Sequence, residues 1–145
     1  MVTVQLGEIT VASVYVPNGG RDFPAKMRFL KALEDWVAEF QARASPLVVC
    51  GDLNVARAEM DVHPKERKPN AIGQLPEERA LLERIISQGL VDLCRDLDPS
   101  NDGLFTWCSV KNGMQIRAAW MNHPSWRRGW KPARWLPRVE ALLRD

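Results

Sequence analysis

The sequence predicts an α/β domain. Three observations carry that prediction: a β-branched N-terminal stretch that alternates loosely, an amphipathic helical stretch after it, and a short continuous apolar run, "LVVCG", beyond the helix. Strand, helix, buried strand is the order of an α/β layer, in which a strand covered on both faces needs no alternation. The 145 residues suit one domain with a real core.

The elements follow in order. "VTVQLGEITVASVYV" reads as two strands joined near Gly7, the second running from Ile9 to Val16. The turn chemistry of "PNGG" closes it. From Ala25 to Ala44, Met27, Leu30, Leu33, Trp36, Val37 and Phe40 recur at helical spacing, and Ser45-Pro46 ends the helix, because proline disfavours a helical residue before it. "LVVCG" is the buried strand. Ala58 to Gly73 is polar and proline-containing, and reads as a long loop. "LPEERALLERIISQGL" is a second helix with proline and two glutamates in its first turn and Gly89 at its end. "LVDLCRDLDPSNDG" is a short element and a turn; "LFTWCSV" is a strand, and Asn112-Gly113 signals a hairpin. After Gln115 neither a strand period nor a helix period holds until about Val139 to Leu143.

Composition excludes several classes. Lys and Arg number 20 against 18 Asp and Glu, a balance that by itself does not indicate nucleic acid. No apolar run is long enough to span a membrane, and "MVTVQLGEIT" lacks the basic and apolar regions of a signal peptide. Cys50, Cys94 and Cys108 are odd in number and follow no zinc spacing; they read as reduced core thiols of a cytoplasmic protein.

Asp52 and Asn54 stand just past the apolar strand, where open α/β sheets gather functional groups. Two residues apart in an extended chain, they point the same way. The carboxylate can take a proton from water or hold a hard cation, and the amide can donate to a phosphate oxygen. Both residue types are also common turn formers. Tyr15, the only tyrosine, lies at a strand end, where it can donate to phosphate or simply be a half-buried strand aromatic. Asp61 and His63 in "EMDVHP" have metal-ligand chemistry, although a lone histidine in a polar loop is more often solvated. Trp107 suits stacking on a base or core packing. In the tail, Arg127, Arg128, Lys131, Arg134 and Arg138 alternate with Trp126, Trp130 and Trp135; this is either a nucleic-acid surface or a badly formed segment.

The series "VYVPNGG", helix, "LVVCGDLNVARAEMDVHP", "LPEERALLERIISQGLVDLCRDLDP", "LFTWCSVKNGM" closely resembles the exonuclease III and apurinic/apyrimidinic endonuclease family of the endonuclease/exonuclease/phosphatase superfamily. The likeness covers roughly the first four fifths of the chain. It implies part of a four-layer α/β sandwich, truncated to the family's C-terminal half: residues 1–117 as that half and 118–145 as a divergent or truncated tail. It also implies Mg²⁺ or Mn²⁺ dependence and hydrolysis of phosphodiesters in double-stranded DNA with abasic or 3′-blocked ends.

Carried over by motif, Tyr15 contacts phosphate, and Asp52 activates or orients the attacking water. Asn54 positions the phosphate, Asp52 and Asn54 are the metal candidates, and Trp107 lines the abasic-site pocket. The pattern departs at "AAWMNHPSW", where Asn122 falls in place of a supporting aspartate. The family's metal-binding glutamate and closing histidine have no counterpart here. Three further expectations follow: self-association or a complementary N-terminal half as partner, no membrane partner, and weak activity of the chain alone. The other readings are a non-catalytic DNA-binding or regulatory remnant, and a superfamily phosphoesterase acting on a phospholipid or inositol phosphate.

Overall fold

The computed structural model describes residues 1–107 and 118–122. The chain opens with a hairpin, β1 (Val2–Leu6) and β2 (Ile9–Tyr15), paired antiparallel with Val4 opposite Val11. Helix α1 (Phe23–Ala42) then carries the chain back so that β3 (Leu47–Asp52) lies parallel to β2, the crossover that parallel pairing demands. Helix α2 (Pro76–Ser87) follows a long loop that contains two single-turn 3₁₀ segments. After it come β4 (Val91–Asp92), α3 (Leu93–Leu97) and β5 (Ala118–Asn122). The sheet runs β1-β2-β3-β5-β4, with β5 antiparallel to both of its neighbours.

Strand alternation sorts the side chains into two faces. Ala12, Val14 and Val16 from β2 and its exit point inward, with Leu47 and Val49 from β3. Leu30, Leu33 and Val37 of α1 and Leu81, Leu82, Ile85 and Ile86 of α2 close over them. On the opposite face, Val48 and Leu93 pack with the half-buried Ile9, Val11 and Cys50. No described helix is long and apolar enough to cross a membrane.

Several boundaries differ from the sequence expectation. Helix α1 begins at Phe23, because the Asp22 carboxylate accepts from the Ala25 N–H at 2.8 Å and Pro24 fits the first turn. It ends at Ala42, two residues before the expected end at Ala44. The chain turns left-handed at Ala44 (φ 50°), and Ser45 N–H closes back on the Phe40 carbonyl at 3.0 Å, ahead of Pro46. Of the expected strand "LFTWCSV", only Trp107 pairs among the described residues, in a single parallel bridge with Val62. The neighbouring backbone groups are taken elsewhere: Arg95 donates to the Leu104 carbonyl, and Thr106 and Trp107 N–H both meet the Asp61 carbonyl.

β5 lies inside the stretch where no period was legible. A strand with neighbours on both sides has no need to alternate. The Asn112-Gly113 turn, Cys108 and the basic, tryptophan-rich residues beyond Asn122 lie outside the described residues.

Candidate active site

Tyr15 and Asp52 are register partners at the C-terminal ends of the parallel strands β2 and β3, so their side chains leave the same face of the sheet. Tyr15 is 66 % exposed. Asp52 is exposed as well. Gly51 lets β3 come this close to β2. A Cβ there would lie 2.2 Å from the Val14 carbonyl oxygen, and the residue takes φ +117°.

Asp52 Oδ1 accepts from the Asn54 N–H at 2.9 Å. The turn reading of "DLN" therefore holds for one oxygen; Oδ2 has no partner among the described residues. Asn54 is left-handed (φ 50°), a conformation asparagine tolerates. Its Nδ2 donates to the Val16 carbonyl at 2.8 Å, and its Oδ1 accepts from Asn18 Nδ2 at 3.4 Å. The amide thus bridges the exits of β2 and β3, and its second Nδ2 hydrogen has no partner among the described residues.

Asn18 was legible only as part of a turn. Its role shows once β2 and β3 are side by side.

Trp107 is half-buried, and its indole lies on Gly73. A Cβ on Gly73 would stand 2.3 Å from Trp107 Cη2 and 3.1 Å from the Asn54 carbonyl oxygen. Trp107 therefore sits next to the Asn54 loop. Gly73, with φ +89°, is the one residue type that permits the contact.

Asp61 and His63 are held in structural roles, and Asp61 is buried and not solvated. Asp61 is 4 % exposed; its Oδ1 binds the Arg95 guanidinium, and its Oδ2 caps the Ala58 N–H at 2.9 Å. It braces the loop that carries Trp107. His63 Nδ1 accepts from Lys65 N–H at 3.3 Å, and its ring meets Phe105 edge-on at 5.0 Å. Nearby, Asp92 caps α3 and faces Arg57 at 3.6 Å. Burial raises its carboxyl above the ordinary range, against the pull of the Arg95 amide and the Arg57 guanidinium.

Mg²⁺ or Mn²⁺ would find one carboxylate at these strand ends, Asp52, and an asparagine oxygen already accepting from Asn18. Among the described residues no group of three or more His, Cys, Asp and Glu side chains could hold a metal ion. Such cations need several oxygen ligands in near-octahedral array. The described residues do not fit a resident cation.

No protein-family model matches the chain. It is 32 % identical over 121 residues to an exodeoxyribonuclease of Bacillus subtilis, covering 81 % of this chain and 47 % of that protein. It is 31 % identical over 128 residues to the DNA repair nuclease APEX1 of Danio rerio, covering 83 % and 40 %. The chain thus spans less than half the length of these relatives. Among solved structures, an AP endonuclease from Archaeoglobus fulgidus superposes with a TM-score of 0.71 at 23 % identity, covering 83 % of this chain and 51 % of that one. The 3′ phosphatase NExo (D146N) from Neisseria, bound to a product DNA hairpin, superposes with a TM-score of 0.68 at 24 % identity, covering 85 % and 51 %. Over about four fifths of its length the chain therefore resembles the exonuclease III and apurinic/apyrimidinic endonuclease family, and it has part of that family's α/β fold.

Proposed function

We propose that the chain acts on DNA as a phosphodiesterase, with abasic or 3′-blocked duplex as its substrate. The carrying observation is the side-by-side placement of Tyr15 and Asp52 at exposed ends of adjacent parallel strands, in a chain similar to exodeoxyribonucleases and AP endonucleases. In this reading Asp52 Oδ2 orients a water and takes its proton as the oxygen attacks phosphorus in line. The Tyr15 hydroxyl donates to a phosphate oxygen. The remaining Asn54 amide hydrogen fixes a second one, and Trp107 packs against the sugar where the base is missing. The phosphorus–oxygen bond to the sugar breaks, and the departing oxygen takes a proton from solvent.

Among the described residues Asp52 is the one carboxylate at the ends of β2 and β3, so the expected rate is low. Each missing electrostatic stabiliser typically costs about a hundredfold or more. The same shortage favours the second reading, a non-catalytic DNA-binding or regulatory chain.

The experiment is incision of a duplex with one abasic site, assayed with Mg²⁺, with Mn²⁺ and with chelator. It is run with the chain alone and with the N-terminal half of an exonuclease III supplied in trans. We expect slow incision that rises with the added half and disappears in Asp52→Ala. Incision unaffected by Asp52→Ala discards the assigned site. Binding without incision in every arm supports the second reading, and preferential hydrolysis of an inositol phosphate discards DNA as substrate.

A further inference from the structure

Lys26 and Glu78 are both fully buried, 0 % exposed, with their charged atoms 2.5 Å apart. A buried ion pair is a costly way to fill a core, since well-packed apolar side chains of similar volume are often as stable or more so. What the pair holds is therefore informative. Lys26 stands in the first turns of α1, and an ammonium group has three N–H donors. Two of them reach the Asn54 carbonyl at 2.6 Å and the Asn18 carbonyl at 3.2 Å, while Glu78 Oε1 meets the charge as an ion pair without hydrogen-bond geometry. Those carbonyls belong to the loops leaving β3 and β2.

Glu78 stands in the first turn of α2. Its Oε2 accepts from Gly73 N–H at 2.6 Å and Leu75 N–H at 3.1 Å. The Gly73 carbonyl in turn accepts from Ala56 N–H at 2.8 Å, while the Trp107 indole covers its Cα. One ion pair thus grips the backbone at Asn18, at Asn54 and at the glycine beneath Trp107.

We propose that Lys26 and Glu78 are positioning residues that lock Asn54 and Trp107 into one fixed arrangement. What that arrangement faces, a DNA phosphodiester and its sugar, rests on the function proposed above; the locking does not. The pair's polar atoms are needed because four backbone groups end on them. Two carbonyls require donors and two N–H groups require acceptors. A methionine at each position fills the space but leaves all four without partners, so the loops move to satisfy them.

The test replaces the pair as a unit, Lys26→Met with Glu78→Met, and follows amide hydrogen exchange residue by residue. The decisive amides are Asn54 and Ala56, which bond Asp52 and Gly73 and touch neither member of the pair. We expect their exchange to accelerate about tenfold or more while Val11, Val49 and Leu82 keep their protection, the signature of local loosening. On abasic duplex, kcat falls about tenfold with KM within about twofold, the pattern for lost transition-state positioning. Unchanged exchange at Asn54 and Ala56 overturns the proposal. So does equal acceleration throughout β2 and β3, which marks a merely structural pair. If the double methionine variant does not fold, Lys26→Met with Glu78→Gln takes its place. Its amide oxygen still accepts from Gly73 and Leu75, and the same two amides decide. A native chain that never incises DNA discards the function and leaves the exchange result to judge the positioning.

Discussion

Gly73 is the residue at which the aromatic side of the site is most exposed to a single change. A Cβ added there meets Trp107 at 2.3 Å, in a backbone conformation (φ +89°) that disfavours any L side chain. Gly73→Ala should cost about 1 kcal/mol in backbone strain, and displacing the indole should add roughly 1–3 kcal/mol. The urea midpoint reads the sum. Gly103→Ala is the control, since a Cβ there meets only the end of the Asn101 side chain at 3.3 Å; its midpoint should move by less than about 0.5 kcal/mol. Equal shifts for the two variants would mean that the Trp107–Gly73 contact holds nothing in place. Tyr15 and Asp52 were legible because a polar residue at the end of an apolar strand stands out in one dimension. Lys26 and Glu78 were not. A lysine and a glutamate near helix starts read as solvent-facing, and what buries them is three loops from distant parts of the chain. The structural role of Asp61 was hidden for the same reason, since its partner Arg95 is 34 residues away.

Helices α1 and α2 are tied on their outer side by Glu34 of α1 and Arg84 of α2, 2.9 Å apart. The Arg84 guanidinium holds the Glu34 carboxyl below its usual range; burial opposes this, and Lys31 adds to it. A depressed folded pKa gives stability that is present above the unfolded value near about 4.3 and lost as pH falls through the folded value. Arg84→Met should therefore lower stability at pH 7 by a few tenths to about 1 kcal/mol, Arg84 being largely exposed and screened. Below both pKa values the variant and the native chain should converge. Urea titrations at neutral and strongly acidic pH check this, and a difference that persists in acid would place the effect in packing. Periodicity disclosed both helices, because each has one apolar face against the sheet. The ends were less legible. Ala44 takes the left-handed turn that glycine usually marks, and β5 inserts between β3 and β4 without any alternating pattern.

At the scale of the whole molecule, and among the described residues, the sheet is covered on one face by α1 and α2, while the other is partly open. Val2, Val4 and Leu6 alternate on β1, and the antiparallel register sets Val4 against Val11 and Leu6 against Ile9, so all five share the face opposite the helices. Val2 is 68 % exposed and Val4 54 %. The alternation was visible in the sequence, as was the expectation of self-association or a complementary half; among the described residues Val48 and Leu93 pack with Ile9 and Val11, while Val2, Val4 and Leu6 stay exposed. A contiguous apolar patch of this kind marks a contact surface, and among the described residues β1 also presents an unpaired sheet edge. We expect the chain to associate as concentration rises, through this face. Val4→Lys sets a charge in the middle of the patch at a position already open to water, so the fold should survive it. Sedimentation velocity should show association weakened about tenfold or more in the variant, with the urea midpoint within about 0.5 kcal/mol of the native one. A native chain that stays monomeric up to about 100 µM, or a Val4→Lys chain that associates as before, would place the contact elsewhere or remove it.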